Sequence, residues 1–360
     1  MKNKKSLTIN YKGILIFLIV LFRYLKMQKV LSNSKSNLIF LGIILLVLII
    51  IIRRRILRNI NFKWLIFSLI FAFAQLLFLQ DVDILLLIAI SIIFSEDKDA
   101  IKKIIKYFLI SLIIIFISTI LLSKLGILNY STISRVIEGN IRVQRNSLGF
   151  KHPNEAYVYF FFISIGMYYF SKKKLSYCIV MLIGTFIMYN ITLSRTGLIC
   201  SIAFLLLILF YNKNIKINKY MFIIATVITF LIAIIFGEPN NTINIMLSNR
   251  PFLYNYYITN GYIFNLIGNN IIDGVTLDNS FLNLIVGSGL LFYVFYSILY
   301  YLSGKLLEND RKLTQIFIII LIYGCIETHA LNIGLNFVLI IQMYLLLTKN
   351  NKLKELNENE

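Results

Sequence analysis

Five arginines, two histidines and one glutamate are the residues in this 360-residue chain whose types and surroundings could do chemistry. Arg195 lies in Leu193-Ser-Arg-Thr-Gly197, where Ser194 and Thr196 can cap a helix or contact a ligand. Arg250 lies in Leu247-Ser-Asn-Arg-Pro251, and Pro251 suits a first helical position, which puts Arg250 at a helix N-terminus where anions are also favoured. With Arg135, Arg142 and Arg145 these form a group in which Arg outnumbers Lys, although only 11 of the 36 basic residues are Arg. Guanidinium forks grip phosphate oxygens through paired hydrogen bonds, whereas Lys acts as a point charge. His152, in Ser147-Leu-Gly-Phe-Lys-His-Pro-Asn-Glu155, titrates near neutral pH and stands just before a segment whose first turn starts at Pro153. Glu327 and His329 lie in Tyr323-Gly-Cys-Ile-Glu-Thr-His329, where an acidic group near membrane depth is costly and points to function. The bland alternatives are snorkelling arginines, an interfacial histidine that bonds Asn154, ordinary helix-end chemistry at Glu327, and solvated turn residues at Asp81 and Asp83.

The elements that must position these residues are helices in lipid. The chain is 59% hydrophobic with 3 Pro, and its mean hydropathy is +0.80. A soluble domain cannot hide so much apolar surface. Uncharged runs such as 39–52, 64–80, 107–123, 221–237 and 279–303 have the length of membrane helices. Their unbroken Ile, Leu and Phe lack the alternation of barrel strands. The pattern predicts an all-α integral membrane protein of about twelve spans (range 10–12): 13–25, 37–52, 64–80, 82–95, 104–122, 154–170, 175–192, 197–211, 220–237, 280–302, 314–327 and 332–347. Residues 1–347 form one polytopic domain, with longer outer loops at about 123–153 and 238–279 and a polar tail at 348–360.

A net charge of +20 does not mean nucleic acid here, because the charges sit in short blocks between apolar runs. With the N-terminus inside, the inner blocks hold Lys2, Lys4, Lys5 and Lys12; Arg53, Arg54, Arg55, Arg58 and Lys63; and Lys98, Lys102, Lys103 and Lys106. They continue with Lys172, Lys173 and Lys174; Lys213, Lys216 and Lys219; Lys305, Arg311 and Lys312; and Lys349, Lys352 and Lys354, which makes 25 of 36. Both termini are therefore expected in the cytoplasm. The arginine-rich face is then the outer one. The N-terminal apolar run lacks a cleavage site and reads as a retained span. Cys178, Cys200 and Cys325 show no metal or redox spacing. No Walker loop, HExxH, Cys/His cluster or GxSxG occurs, so no metal and no cofactor are expected. Few acidic residues lie in the spans, which weighs against a proton-coupled pump.

At these residues the chain resembles the Wzy-type O-antigen and capsular polysaccharide polymerases, which are related in architecture to the O-antigen ligases. The matching pieces are Leu148-Gly-Phe-Lys-His-Pro-Asn154, Leu193-Ser-Arg-Thr-Gly197, Leu247-Ser-Asn-Arg250, Leu277-Asp-Asn-Ser-Phe-Leu-Asn-Leu-Ile-Val-Gly-Ser-Gly289, and Glu327 with Asn332 and Asn336. They cover about residues 140–340 in the family's order. Lys151 departs from the small residue usual there, and Ser288 from the common Tyr. The resemblance implies a polymerase/ligase architecture of the GT-C kind in the cytoplasmic membrane. It implies metal-independent transfer of a growing glycan from undecaprenyl pyrophosphate to the next lipid-linked repeat unit at the outer face. Arg195 and Arg250, assisted by Arg145, would meet the charge of the departing diphosphate. His152 and Glu327 are the candidates to activate the acceptor hydroxyl. Asn154, Ser194, Asp278, Asn279 and His329 would contact substrate, and loop tyrosines would stack on sugars. The implied partners are lipid-linked oligosaccharides, membrane lipids, a flippase and a chain-length regulator, with no nucleic acid. The rival readings are a ligase-like glycan transferase and a lipid-linked oligosaccharide flippase or transporter.

Overall fold

The computed structural model describes residues 10–54, 56, 60–128, 132–137, 141–211, 218–247, 249–268, 277–307 and 310–348. Of the residues singled out above, Lys2, Lys4, Lys5, Arg55, Arg58, Lys213, Lys216, Lys349, Lys352 and Lys354 lie outside the described residues, as does the tail from 349. Each expected apolar segment falls on a helix. The first five are α1 (Tyr11–Met27), α2 (Asn33–Arg54), α3 (Phe62–Leu79), α4 (Asp83–Phe94) and α5 (Ala100–Lys124). After a hairpin come α6 (Pro153–Phe170), α7 (Lys174–Thr192), α8 (Arg195–Phe210) and α9 (Met221–Phe236). Two short helices, α10 (Thr242–Met246) and α11 (Arg250–Thr259), occupy the long loop after α9. The chain closes with α12 (Ser280–Asn283), α13 (Leu290–Leu307), α14 (Arg311–Gly324) and α15 (Phe337–Leu347).

Among the described residues, five helices (α2, α3, α5, α7 and α13) are long and apolar enough to cross a membrane. Their outward faces carry large exposed apolar side chains, among them Leu45, Ile49 and Ile52 on α2, Ile66 and Phe73 on α3, and Ile183 and Ile187 on α7. Faces of this kind are stable against hydrocarbon rather than water. By contrast α4 and α15, of 12 and 11 residues, are buried along nearly all or all of their length. They pack together at the centre, where Ser91 Oγ donates to the Ile340 carbonyl.

Two boundaries differ from expectation. The segment expected at 332–347 begins as a helix only at Phe337, because Asn336 caps it and a tight turn at Thr328–Leu331 precedes it. The segment at 280–302 is interrupted by a π-helical turn at Leu284–Ser288 and by Gly289 at φ +98°. There the backbone of 265–268 lies against the break: Gly268 N–H donates to Ser288 O (2.9 Å), and Leu290 N–H to Asn265 O (3.0 Å). A Cβ at Gly289 would meet that backbone, so only glycine fits. The all-α expectation holds, with one short antiparallel hairpin of β1 (Thr132–Ile137) and β2 (Ile141–Asn146) in the loop after α5. Ile-Arg-Val-Gln at 141–144 alternates apolar and polar residues with the two-residue period of a strand, and both strands are rich in β-branched Ile, Val and Thr. Arg135 and Arg142 lie on its strands, and their side chains, like Tyr130, lie outside the described residues.

Candidate functional site

Glu327 stands where four distant segments converge. α14 stops at Gly324, whose missing side chain leaves room for Ala330 and Phe281, and the chain turns so that Glu327 N–H returns to Tyr323 O (2.9 Å). Its carboxylate is 5% exposed. Oε1 accepts from Thr196 Oγ1 at 2.7 Å and from Arg250 at 3.4 Å. The Glu327 carbonyl accepts from Ser280 Oγ at 2.6 Å. Oε2 makes no hydrogen bond to another described residue and is the oxygen left for a ligand. Burial pushes the Glu327 pKa up, and Asp278 adds to this, against the pull of Arg250. A carboxyl group tuned this way exchanges a proton closer to neutrality than an ordinary one.

Arg250 is the joint of this arrangement. As expected it opens α11 beside Pro251, and Asn249 in the left-handed region (φ 59°) turns the chain into the helix. Its guanidinium donates to Ile326 O and to Asp278 Oδ2, both at 2.8 Å, besides Glu327. Burial works against the charge, but Glu327 and Asp278 outweigh it, so its pKa is raised. Two carboxylates already occupy this fork. It therefore holds Glu327 and Asp278 in place rather than standing open to a diphosphate.

His152 and Arg145 approach the same place from the other side. His152 is the N-cap of α6, which starts at Pro153 as expected, and its Nδ1 accepts from Asn154 N–H (3.1 Å). The neutral ring then carries its proton on Nε2, which has no partner among the described residues. His152 is thus a hydrogen-bond donor as it stands, and taking up a proton at Nδ1 would break the cap. Burial and then Arg145 lower its pKa, opposed by Asp278, so His152 lies within electrostatic reach of both clusters. Arg145, delivered by β2, is buried and donates to Thr192 O at 2.8 Å and Asn154 Oδ1 at 2.6 Å. It bolts the hairpin to α6 and to the carbonyl end of α7, where a cation is favoured.

Arg195 opens α8 one residue before Thr196, so its backbone is adjacent to the hydroxyl that bonds Glu327. The side chain is exposed and makes no ion pair or hydrogen bond to another described residue. Its guanidinium is open to solvent beside the start of α8. Ser194 and Asn279 prove to be positioning residues rather than the substrate contacts expected. Ser194 is buried and accepts from Gly197 N–H as the cap of α8. Asn279 is fully buried: Oδ1 accepts from Phe281 and Leu282 N–H, and Nδ2 donates to Thr229 Oγ1 and Cys325 O, which uses its whole capacity. Asn154 likewise gives its oxygen to Arg145. Of the loop tyrosines, Tyr254 and Tyr257 are buried, and Tyr254 donates to Asp278 O (2.5 Å). These two support the site rather than face sugars.

Gly197 places α8 against α6, because a Cβ there would overlap the buried Tyr157 ring. Gly197→Ala is therefore expected to destabilise the protein by about 1–3 kcal/mol through overpacking, read as a lower melting temperature in detergent. An unchanged melting temperature would contradict this packing.

His329 lies apart from this cluster and lines a cavity of about 220 Å³ with Arg23, Asp81, Asp83, Thr328 and Ser280. Burial pushes its pKa down to about 4. It is neutral at pH 7, and its contribution to stability is present above the unfolded value near 6.5 and lost as pH falls towards 4. His329→Gln is expected to flatten the decline of melting temperature between pH 7 and 4, and an unaltered profile would count against it. Asp83 is no solvated turn residue: it is ion-paired with Arg23, and Asp81 lies 3.8 Å from the same guanidinium. Arg23 lies within the apolar run expected at 13–25, inside α1. An arginine inside an apolar helix marks function by default. Among the described residues no group of His, Cys, Asp and Glu could hold a metal ion. No family model, curated protein or solved structure matches the chain.

Proposed function

We propose that this chain is a metal-independent glycan polymerase of the Wzy type, with about twelve spans, both termini in the cytoplasm and a polymerase/ligase architecture of the GT-C kind. It joins undecaprenyl-pyrophosphate-linked repeat units at the outer face of the cytoplasmic membrane. The observation that carries this reading is the convergence on Glu327 of Thr196, Arg250 and Ser280, with Arg195 next to Thr196 in the chain and His152 within electrostatic reach of Asp278. These are the segments through which the sequence resembles that family. In the reaction, Glu327 Oε2 takes the proton of the acceptor hydroxyl as its oxygen bonds to the anomeric carbon of the donor. The bond from that carbon to the diphosphate oxygen breaks, and the electron pair leaves with the diphosphate. Arg195 and the Nε2–H of His152 meet the negative charge as it gathers. Arg250 keeps Glu327 and Asp278 aligned, and the free Asp278 oxygen is available to a sugar hydroxyl.

The test is in vitro extension of a defined lipid-linked repeat unit by purified enzyme. Arg195→Ala is expected to slow extension by about 10²-fold, as for loss of one charge-stabilising donor, with His152→Ala similar and Arg195→Lys only partly active. Full activity in all three variants would remove the site assignment. Transfer only to an unrelated acceptor would favour a ligase, and movement of the lipid-linked unit across vesicles without bond formation would favour a flippase.

A further inference from the structure

Joining two lipid-linked units requires two diphosphate headgroups to be held at once, and among the described residues the cluster around Glu327 offers unpaired cationic donors for only one. A second set lies at the ends of α1 and α2. A cavity of about 530 Å³ there is lined by Arg23, Lys26 and Lys29 together with Ser32 and Asn33. No carboxylate lines it. The side chains of Lys26 and Lys29 have no hydrogen bond or ion pair with other described residues, and α2 begins at Asn33, which lines the same opening.

This cavity shares Arg23 and Asn332 with the smaller one described above. Arg23 is 7% exposed, stacks 4.6 Å from the Phe40 ring and pairs with Asp83 and Asp81 on one side only. Its Nε has no acceptor. The trough thus changes character along its length. The open end is cationic. The inner end presents carboxylates, amide and hydroxyl groups from Gln75, Asp81, Asp83, Ser280 and Thr328, with the Tyr296 ring among them. Such a mixture of acceptors, donors and a ring suits a sugar. The inner end finishes at Ser280, whose hydroxyl bonds the Glu327 carbonyl.

We propose that this trough is the acceptor site. The diphosphate of the incoming lipid-linked unit rests on Lys26 and Lys29, Arg23 holds Asp81 and Asp83 at the junction behind them, and the sugars point inward along Asp81, Asp83 and Thr328 towards Glu327. The assignment rests on the polymerase reading for the word acceptor, but the phosphate contact stands on the trough alone.

The full-length protein in phospholipid-free maltoside micelles is titrated with farnesyl diphosphate, with inorganic pyrophosphate and phosphatidylglycerol as competitors. Wild type is expected to bind two equivalents of farnesyl diphosphate. Lys26→Ala/Lys29→Ala, which alters side chains that make no hydrogen bond or ion pair with other described residues, is expected to bind one equivalent and to weaken the other by about tenfold or more, with its melting temperature unchanged. In extension assays the same variant raises KM for the acceptor unit and leaves that for the donor and kcat unchanged. Two equivalents retained at wild-type affinity would overturn the proposal. So would failure of inorganic pyrophosphate to compete, which would assign binding to the hydrocarbon. Phosphatidylglycerol competing as well as farnesyl diphosphate would also overturn it, reducing the trough to a general lipid-headgroup site. Loss of an equivalent in the lysine variant, but none in Arg195→Ala, would keep this site and dismiss the donor site instead.

Discussion

Glu327→Gln is expected to reduce chain extension by about 10²- to 10⁴-fold, the range for removing a positioned acid–base group. Glutamine keeps the volume, and its carbonyl can still accept from Thr196, so the fold around α8 and the Thr328–Leu331 turn is retained. What disappears is the charge and the capacity to take a proton at Oε2. The wild-type enzyme should show the matching pH dependence. Burial raises the Glu327 pKa, and a base works only when deprotonated, so activity rises with pH through a value above the ordinary carboxylate range. Stability moves in the opposite sense. A carboxyl raised in the folded state contributes stability that is complete below its unfolded value near 4.3 and is lost as pH climbs through the folded one. Glu327→Gln should therefore melt no lower than wild type at pH 7 while losing its activity. A variant that extends glycan at half the wild-type rate or better would remove Glu327 from the chemistry.

The second large effect is at Arg250. Its fork serves three acceptors on two other segments, and only 14% of the side chain is exposed, against 6% for that of Glu327. Arg250→Ala leaves two carboxylates facing each other, one of them deeply buried, and a stability loss of about 3–5 kcal/mol is expected from breaking such a pair. Extension should fall by at least about 10²-fold, because Glu327 and Asp278 lose their common anchor. Arg250→Lys separates the roles. A single ammonium can meet one carboxylate but cannot also hold the Ile326 carbonyl in the same plane. It should recover most of the stability and little of the activity. The coupling is measurable: Arg250→Ala/Glu327→Gln should be more stable than Arg250→Ala alone, because the uncompensated buried charge is gone. If Arg250→Ala melts like wild type, the pair is not an organising contact and the account of Arg250 fails.

The helical segments were legible in the sequence because an uncharged run of Ile, Leu and Phe has one stable outcome in lipid. The caps were legible too: Pro153 after His152, Ser194 before a helix and Pro251 after Arg250 all behave as their backbone chemistry demands. Whether a polar side chain faces a ligand or another part of the protein could not be read so directly. Asn279 and Ser194 carry the same groups whether they bind sugars or cap helices, and only the neighbours that tertiary folding brings decide between the two. Arg250 looked like a free phosphate grip because nothing local shows that Asp278 and Glu327, 28 and 77 residues away, close on it. The hairpin at 132–146 was hidden by its length, since six-residue strands leave a weak alternation beside twenty-residue apolar runs. Arg23 stands out in the sequence as a charge inside an apolar run, but its partners Asp81 and Asp83 are 58 and 60 residues away and meet it only in the fold.

The shortness of α4 and α15 has a consequence for how the protein is made. At 1.5 Å per residue they rise only about 18 and 16 Å, a little over half the hydrocarbon thickness. Neither can enter a bilayer as a self-sufficient segment during synthesis. Each must wait for taller neighbours to shape a slot that shelters its ends, so the middle of the molecule settles last although α4 is translated early.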